Sequence, residues 1–380
     1  MQKLLLTLLL TVSLSVVFSC KNQKETHPEI TQIKKQLVQH AKGFQIEEYS
    51  DYSVLTILQP WPKATKNFTY ILKKKNAAVP ENLQQYPQID VPIKNLVVTS
   101  TTHIPSLEML KSENRLIGFP GTNLISSSKT RKLIDTKKIV DIGINQDLNT
   151  ELLIDLQPDV LVGFTIDDQN KTYDILAKSG IEILYNGDWV EETPLGKAEW
   201  IKFFGVLLDK SSEADAIFNS IEKNYNDIKE AAQKASTTPT VLSGAIYQDQ
   251  WYLPGGKSWA SIFLKDAKAQ YLWGETTEVG SLSLSFETVL EKAENADFWI
   301  GPAQFVSLEE MIQNNPNYKF FKSFKEQKIY SFSNKKGKTG GVLYYELAPN
   351  RPDLLLKDLV SIIHPEIYSN HELFFFEKLK

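Results

Sequence analysis

The chain has 380 residues, enough for two domains at roughly 100–200 residues each. Hydrophobic residues make up 42% and charged residues 23%, the balance of a folded globular chain and not of a disordered or collagen-like one. A net charge of −4 supplies no basic field for nucleic acid, and a single cysteine excludes an intramolecular disulfide.

In chain order, residues 1–19 read as a signal peptide. Met1–Lys3 give a positive start, Leu4–Phe18 an apolar run, and Lys21–Glu25 a polar continuation. The run is shorter than the roughly 20 residues that span a bilayer. Cys20 stands at the apolar/polar junction, and Val17-Phe18-Ser19-Cys20 resembles a bacterial lipobox, whose cysteine is acylated and becomes the new N-terminus. Cys20 is therefore the candidate lipidation site. The alternative is an ordinary signal peptide with an incidental cysteine. Residues 20–43 are polar and helix-prone over 30–41, as in a lipidated tether or a loosely docked helix. Residues 44–92 hold two β-rich runs, Tyr52–Leu58 and Phe68–Leu72, with prolines between them; they predict a β-hairpin extension followed by a connector.

From residue 93 to 193, short apolar strands alternate with short helices, the pattern of a mainly parallel sheet covered on both faces. Residues 194–238 break that rhythm. Ala214, Ile217, Ile221, Tyr225 and Ile228 recur at helical spacing and predict a long bridging helix over 213–234. Alternation resumes over 239–380, ending in a helix from Pro352 to Ile363. The expected fold class is α/β, with two Rossmann-like lobes joined by a long bridging helix and an added N-terminal β-hairpin.

Two segments repeat each other. Leu148-Asn149-Thr150-Glu151 leads through a helix into Asp159-Val160-Leu161-Val162-Gly163. Leu284-Ser285-Phe286-Glu287 leads through a helix into Asp297-Phe298-Trp299-Ile300-Gly301. Such a repeat implies two lobes of related build, and a cleft between lobes is a preferred ligand site. Each glutamate stands in a helix first turn, where a negative charge gains from the helix dipole whatever else it does.

Further stretches carry a resemblance: Thr101-Thr102-His103-Ile104-Pro105 with Leu107–Leu110, Leu156-Gln157-Pro158-Asp159, Ser285–Leu290, and Arg351-Pro352-Asp353 before a helix ending in His364-Pro365. With the repeat and the lipobox, they resemble the substrate-binding proteins of ABC importers for iron–siderophore, haem and cobalamin, over residues 93–365. That resemblance implies two lobes with limited closure and a periplasmic, lipid-anchored protein. It also implies one exposed glutamate per lobe docking onto arginines of an inner-membrane permease. Glu151 and Glu287 match those positions. The insertion over 45–90 departs from the family pattern.

No G-x-S-x-G, G-x-G-x-x-G, Walker A or H-E-x-x-H pattern is present, so no catalytic residue is expected. Pro254-Gly255-Gly256-Lys257-Ser258 lacks the leading glycine of a phosphate loop and reads as a ligand-facing turn. No two histidines stand at metal-ligand spacing, so neither a protein metal site nor a cofactor is expected. His103 falls at a strand end, where it is a candidate ligand contact or haem ligand; a helix-entry histidine bonded to local backbone is the alternative. Trp189, Tyr247, Trp251, Trp259, Tyr344 and Tyr345 fall near strand ends or turns and are candidates for stacking on a ligand. Lys257 and Arg351, with Lys335, Lys336 and Lys338, are candidate partners for an anionic chelate.

The expected function is capture of an iron complex or related chelate in the inter-lobe cleft by a monomer that delivers it to the permease. Cobalamin or haem in the same role is the alternative. An enzyme such as a chelatase on a similar scaffold, and a scavenging lipoprotein without a permease, are the competing classes.

Overall fold

The computed structural model describes residues 35–167 and 169–380, and these belong to one compact unit. Cys20 and the signal segment lie outside the described residues.

The extension is larger than a hairpin. Strands β1 (Lys35–Gln36), β2 (Phe44–Glu48), β3 (Tyr52–Ile57), β4 (Phe68–Lys74) and β5 (Gln88–Val91) form one sheet in that order. Pairing is antiparallel from β1 to β4 and parallel between β4 and β5. Phe44, Ile46, Leu55, Ile57, Tyr70 and Leu72 are buried in a core shared with the first lobe.

Residues 35–43 are neither tether nor helix. β1 pairs with β2, and the following loop wraps two buried carboxylates. Glu199 accepts the amides of Gln39, His40 and Ala41 at 2.9, 2.6 and 2.8 Å and the Lys202 ammonium at 2.8 Å. Glu191 accepts the amides of Lys42 and Gly43 at 2.9 and 2.7 Å. A helix over 30–41 would have spent these amides internally, so the buried charges win them.

The N-terminal lobe follows. β6 (Leu96–Val98) leads to α1 (His103–Met109), β7 (Leu116–Phe119), α2 (Ser128–Asp135) and β8 (Val140–Asp141). A small hairpin, β9 (Gly143–Ile144) and β10 (Asp147–Leu148), precedes α3 (Thr150–Leu156), β11 (Val160–Gly163), α4 (Lys171–Lys178) and β12 (Glu182–Tyr185). The sheet is parallel in the order β12-β11-β6-β7-β8. Its alternation buries Leu96, Val98, Val160 and Val162 on one face and Val97 and Leu161 on the other.

The bridge comprises α5 (Pro194–Glu199), α6 (Ile201–Leu207) and α7 (Ser211–Gln233). One apolar stripe of α7 serves both lobes. Ala214, Phe218 and Ile221 enter the first core, while Tyr225, Ile228 and Ala232 enter the second. A single rigid helix thus splits its stripe between two cores, which limits how far the lobes can turn about it.

The C-terminal lobe contains β13 (Thr240–Ser243), β14 (Ala245–Tyr247), β15 (Gln250–Pro254), α8 (Trp259–Asp266), β16 (Gln270–Tyr271), β17 (Ser281–Leu284), α9 (Phe286–Ala293) and β18 (Phe298–Ile300). After these come α10 (Leu308–Asn314), α11 (Lys322–Lys325), β19 (Ile329–Ser331), α12 (Leu343–Leu347), α13 (Pro352–Ile363) and β20 (Glu377–Lys378). Its main sheet runs β16-β13-β18-β19-β20, parallel except for the last pair, and β14-β15-β17 form a separate antiparallel sheet.

The repeat has a physical basis. Asn149 and Ser285 cap α3 and α9 by accepting the amides of Leu152 and Thr288. Asp159 accepts the amides of Lys94 and Asn95 just before β6, and Asp297 accepts the amide and hydroxyl of Thr240 at the start of β13. Each aspartate ties the strand it precedes to its neighbour in the sheet.

Candidate functional site

In each lobe the chain builds outward from one strand, reverses, and fills the other side. The reversal lies between β6 and β11 in the first lobe and between β13 and β18 in the second. Ligands of open α/β sheets bind outside the carboxyl ends of strands at such points.

At the second-lobe reversal a cavity of about 420 Å³ opens. Ser243 and Gly244 at the end of β13, and Ile300, Gly301 and Ala303 at the end of β18, form its floor. Tyr252, Leu253, Trp259, Phe263, Phe332, Tyr344, Tyr345, Leu355, Leu359 and Phe376 supply the walls. The Phe332 and Tyr344 rings stack at 4.1 Å, with planes 14° apart. Among the described residues no charged side chain lines this cavity. Burial pushes the Tyr344 phenol well above its usual range, so it stays protonated.

The first-lobe reversal is occupied. Thr99 Oγ1 accepts the Phe164 amide at 3.2 Å, and the Thr99 carbonyl accepts Asn145 Nδ2 at 2.8 Å. Beside it, Thr102 Oγ1 donates to Asp188 at 2.6 Å. Lys197 Nζ donates to the Asp188 and Trp189 carbonyls at 2.9 and 3.1 Å and lies 5.8 Å from the Trp259 ring centroid. Burial lowers the Lys197 ammonium pKa, while Asp188 and Glu191 pull it back.

The lobes are bonded to each other. Asn350 Nδ2 donates to the Thr102 carbonyl and its Oδ1 accepts Ser106 Oγ, both at 2.7 Å. Glu346 accepts the Ser126 and Ser127 amides at 2.6 and 2.9 Å, and Thr339 donates to the Asn123 carbonyl at 2.7 Å.

Of the residues singled out from sequence, Trp259, Tyr344 and Tyr345 come together on the cavity wall. Tyr247, the last residue of β14, and Trp189, which follows β12, are 62% and 40% exposed and lie outside the cavity lining. Lys257 is exposed and also outside it. Three placements correct the expectation. Trp251 is fully buried, stacked on Trp299 at 5.2 Å, with its indole N–H donating to the Ser243 carbonyl, so it supports the floor from behind. Arg351 makes two 2.8 Å bonds to Asp353 and faces a separate groove with Met109 and Ile217. His103 is 0% exposed and packs 5.5 Å from Phe204, so it reaches neither a ligand nor haem iron. Burial lowers its pKa, against a pull upward from Asp188 and Asn186.

Sequence reasoning missed Tyr252, although the alternation of Trp251 and Leu253 inward places Tyr252 on the opposite side. Phe332, Leu355, Leu359 and Phe376 reach the cavity through tertiary packing alone. Glu151 and Glu287 are both exposed in the first turns of α3 and α9.

Residues 96–335 match the model of the periplasmic binding protein family, and the chain belongs to that family. It is thus an extracytoplasmic binding protein and not an enzyme. The chain is similar to an uncharacterized lipoprotein of Methanocaldococcus jannaschii, 27% identical over 323 residues that cover 81% of this chain and 75% of the relative. Among solved structures it resembles Helicobacter pylori CeuE with Ni(II) bound, at TM-score 0.56 and 18% identity, covering 75% of this chain and 88% of that one. It also resembles a periplasmic heme-binding protein of Pseudomonas aeruginosa, at TM-score 0.56 and 17% identity, covering 76% and 98%. These structures share the two-lobed fold. The strands of the extension lie outside the family match.

Proposed function

We propose that the protein captures a metal chelate, foremost an iron–siderophore complex, at the strand-end cleft and hands it to an ABC importer permease. The observation that carries this reading is the aromatic cavity of about 420 Å³ at the second-lobe reversal. Family membership and the Ni(II) and heme named for two similar structures support it. Haem and cobalamin are tested in the same experiment. A thermal-shift panel on residues 21–380 should find a chelate that stabilises the protein. A ligand at about 100 times its Kd adds about 2.7 kcal/mol. No shift with haem, cobalamin or any ferric siderophore would end this reading.

In this reading Glu151 and Glu287 dock the permease, one per lobe, through charge-assisted pairs with arginine. Their exposure in equivalent helix first turns supports the assignment. Replacing both by Ala should lower uptake and leave chelate affinity unchanged; unchanged uptake would return both to a helix-dipole role. Cys20 carries the lipid anchor, and Cys20→Ser should release the protein from membranes. Equal membrane retention would count against acylation.

A further inference from the structure

We infer that the cleft selects metal complexes of low net charge, whose uncharged apolar or aromatic part enters the C-terminal-lobe cavity; this rests on the capture role proposed above. None of the cations that sequence places near the cleft lines this cavity, and Lys257, exposed on the turn between Pro254 and Trp259, stands outside its lining. Arg351 is held by Asp353 on another face, and Lys338 reaches Asp135 at 3.4 Å. Lys335 and Lys336 border a second hollow between the lobes, together with Glu108 and Glu346, whose carboxylates offset them. Lys197 approaches the Trp259 ring, but its ammonium is committed to two main-chain carbonyls beside Asp188.

A polyanionic complex entering the cavity would give up its hydration and meet no countercharge among the described lining residues. An uncharged moiety meets the stacked rings of Phe332 and Tyr344, the face of Trp259, and hydroxyls of Ser243 and Ser281 that can orient it. The surroundings match. Tyr247 of β14, Tyr252 of β15 and Tyr345 of α12 on the second lobe, and Trp189 and Ile166 on the first, are large hydrophobics left exposed. Of these, Tyr252 and Tyr345 line the cavity itself, and the Tyr247 ring lies 6.4 Å from that of Tyr252, so exposed apolar surface continues outward from the cavity.

The test compares two ferric complexes of similar size. Three hydroxamates carry three negative charges and leave a neutral ferric complex; three catecholates carry six and leave a trianion. Titrations that follow tryptophan fluorescence should show the neutral complex binding about 100-fold or more tighter. Its affinity should change less than about twofold between low and high salt, since charge screening has nothing to act on. Ala260→Lys places a cation on the cavity wall and should improve trianion binding about tenfold or more. Trianion binding that equals neutral binding in the parent and ignores Ala260→Lys would overturn the inference while leaving chelate capture standing. Failure of both complexes, and of haem and cobalamin, would remove the capture role and the inference together.

Discussion

Thr99 and Gly244 occupy matching positions. Each follows the strand residue paired with the residue before the repeat's closing glycine, Val98 with Val162 and Ser243 with Ile300. In the first lobe the threonine side chain fills the reversal and accepts an amide from the next loop. In the second, a left-handed glycine with φ +74° lets the Tyr252 backbone pack directly against it, and Gly244 itself lies on the cavity floor. The closing glycines also differ. Gly301 is left-handed at φ +68°, whereas a Cβ at Gly163 would sit 2.3 Å from the Tyr173 hydroxyl. Two lobes of the same build thus diverge into a polar, occupied wall and an apolar, open one.

The largest effect should come from the support behind the occupied wall. Glu199→Ala leaves three loop amides and the buried Lys202 without their carboxylate. It should cost about 3–5 kcal/mol in urea unfolding. A loss under about 1 kcal/mol would mean that the extension does not brace the first lobe. Next, Gly244→Ala should cost about 2 kcal/mol or more, because its Cβ would lie 1.9 Å from the Tyr252 carbonyl oxygen at a φ that disfavours alanine. Chelate binding should fall with it, and a variant of parental stability and affinity would break the asymmetry just drawn.

Thr99→Val keeps the shape and removes the acceptor of the Phe164 amide. A loss of about 1–2 kcal/mol is expected, with chelate affinity unchanged. The smallest effect concerns pH. His103 has a lowered pKa in the fold, so the unfolded chain binds its proton first as pH falls. The stability it contributes is present above the ordinary imidazole range near pH 6.5 and is lost as pH drops below it, by at most about 1.4 kcal/mol per pH unit. His103→Phe should flatten melting temperature against pH between about 7.5 and 5. An unchanged slope would show that the ring is protonated in place.

Local pattern revealed the lobes because the α7 stripe and the Asp-to-Gly repeat are contained in short windows. Capping residues Asn149 and Ser285 were legible for the same reason, and with them the exposure of Glu151 and Glu287. Trp259, Tyr344 and Tyr345 were found because turns and strand ends are visible in sequence. Trp251 was misplaced although period-two alternation already sent it inward. The roles of residues 35–43 and of Glu191 and Glu199 were hidden, since each depends on a partner remote in sequence. A carboxylate that needs two or three distant amides looks, in sequence, like any surface glutamate.

That remoteness bears on how the chain folds as it is made. The loop amides of residues 39–43 meet their carboxylates across sequence separations of 148 to 160 residues. Closing a flexible loop of that length costs on the order of 4 kcal/mol before any contact repays it. The extension therefore leaves the ribosome early with its amides unclaimed, and its loop cannot lock until the α5 and α6 segment has emerged. Strands β3 and β4 can pair meanwhile, since 13 residues separate Thr56 from Thr69. Synthesis thus passes through a stage in which a formed hairpin waits for the rest of its sheet's support, and proteolysis of stalled nascent chains should find residues 39–43 cleavable until residue 207 is exposed.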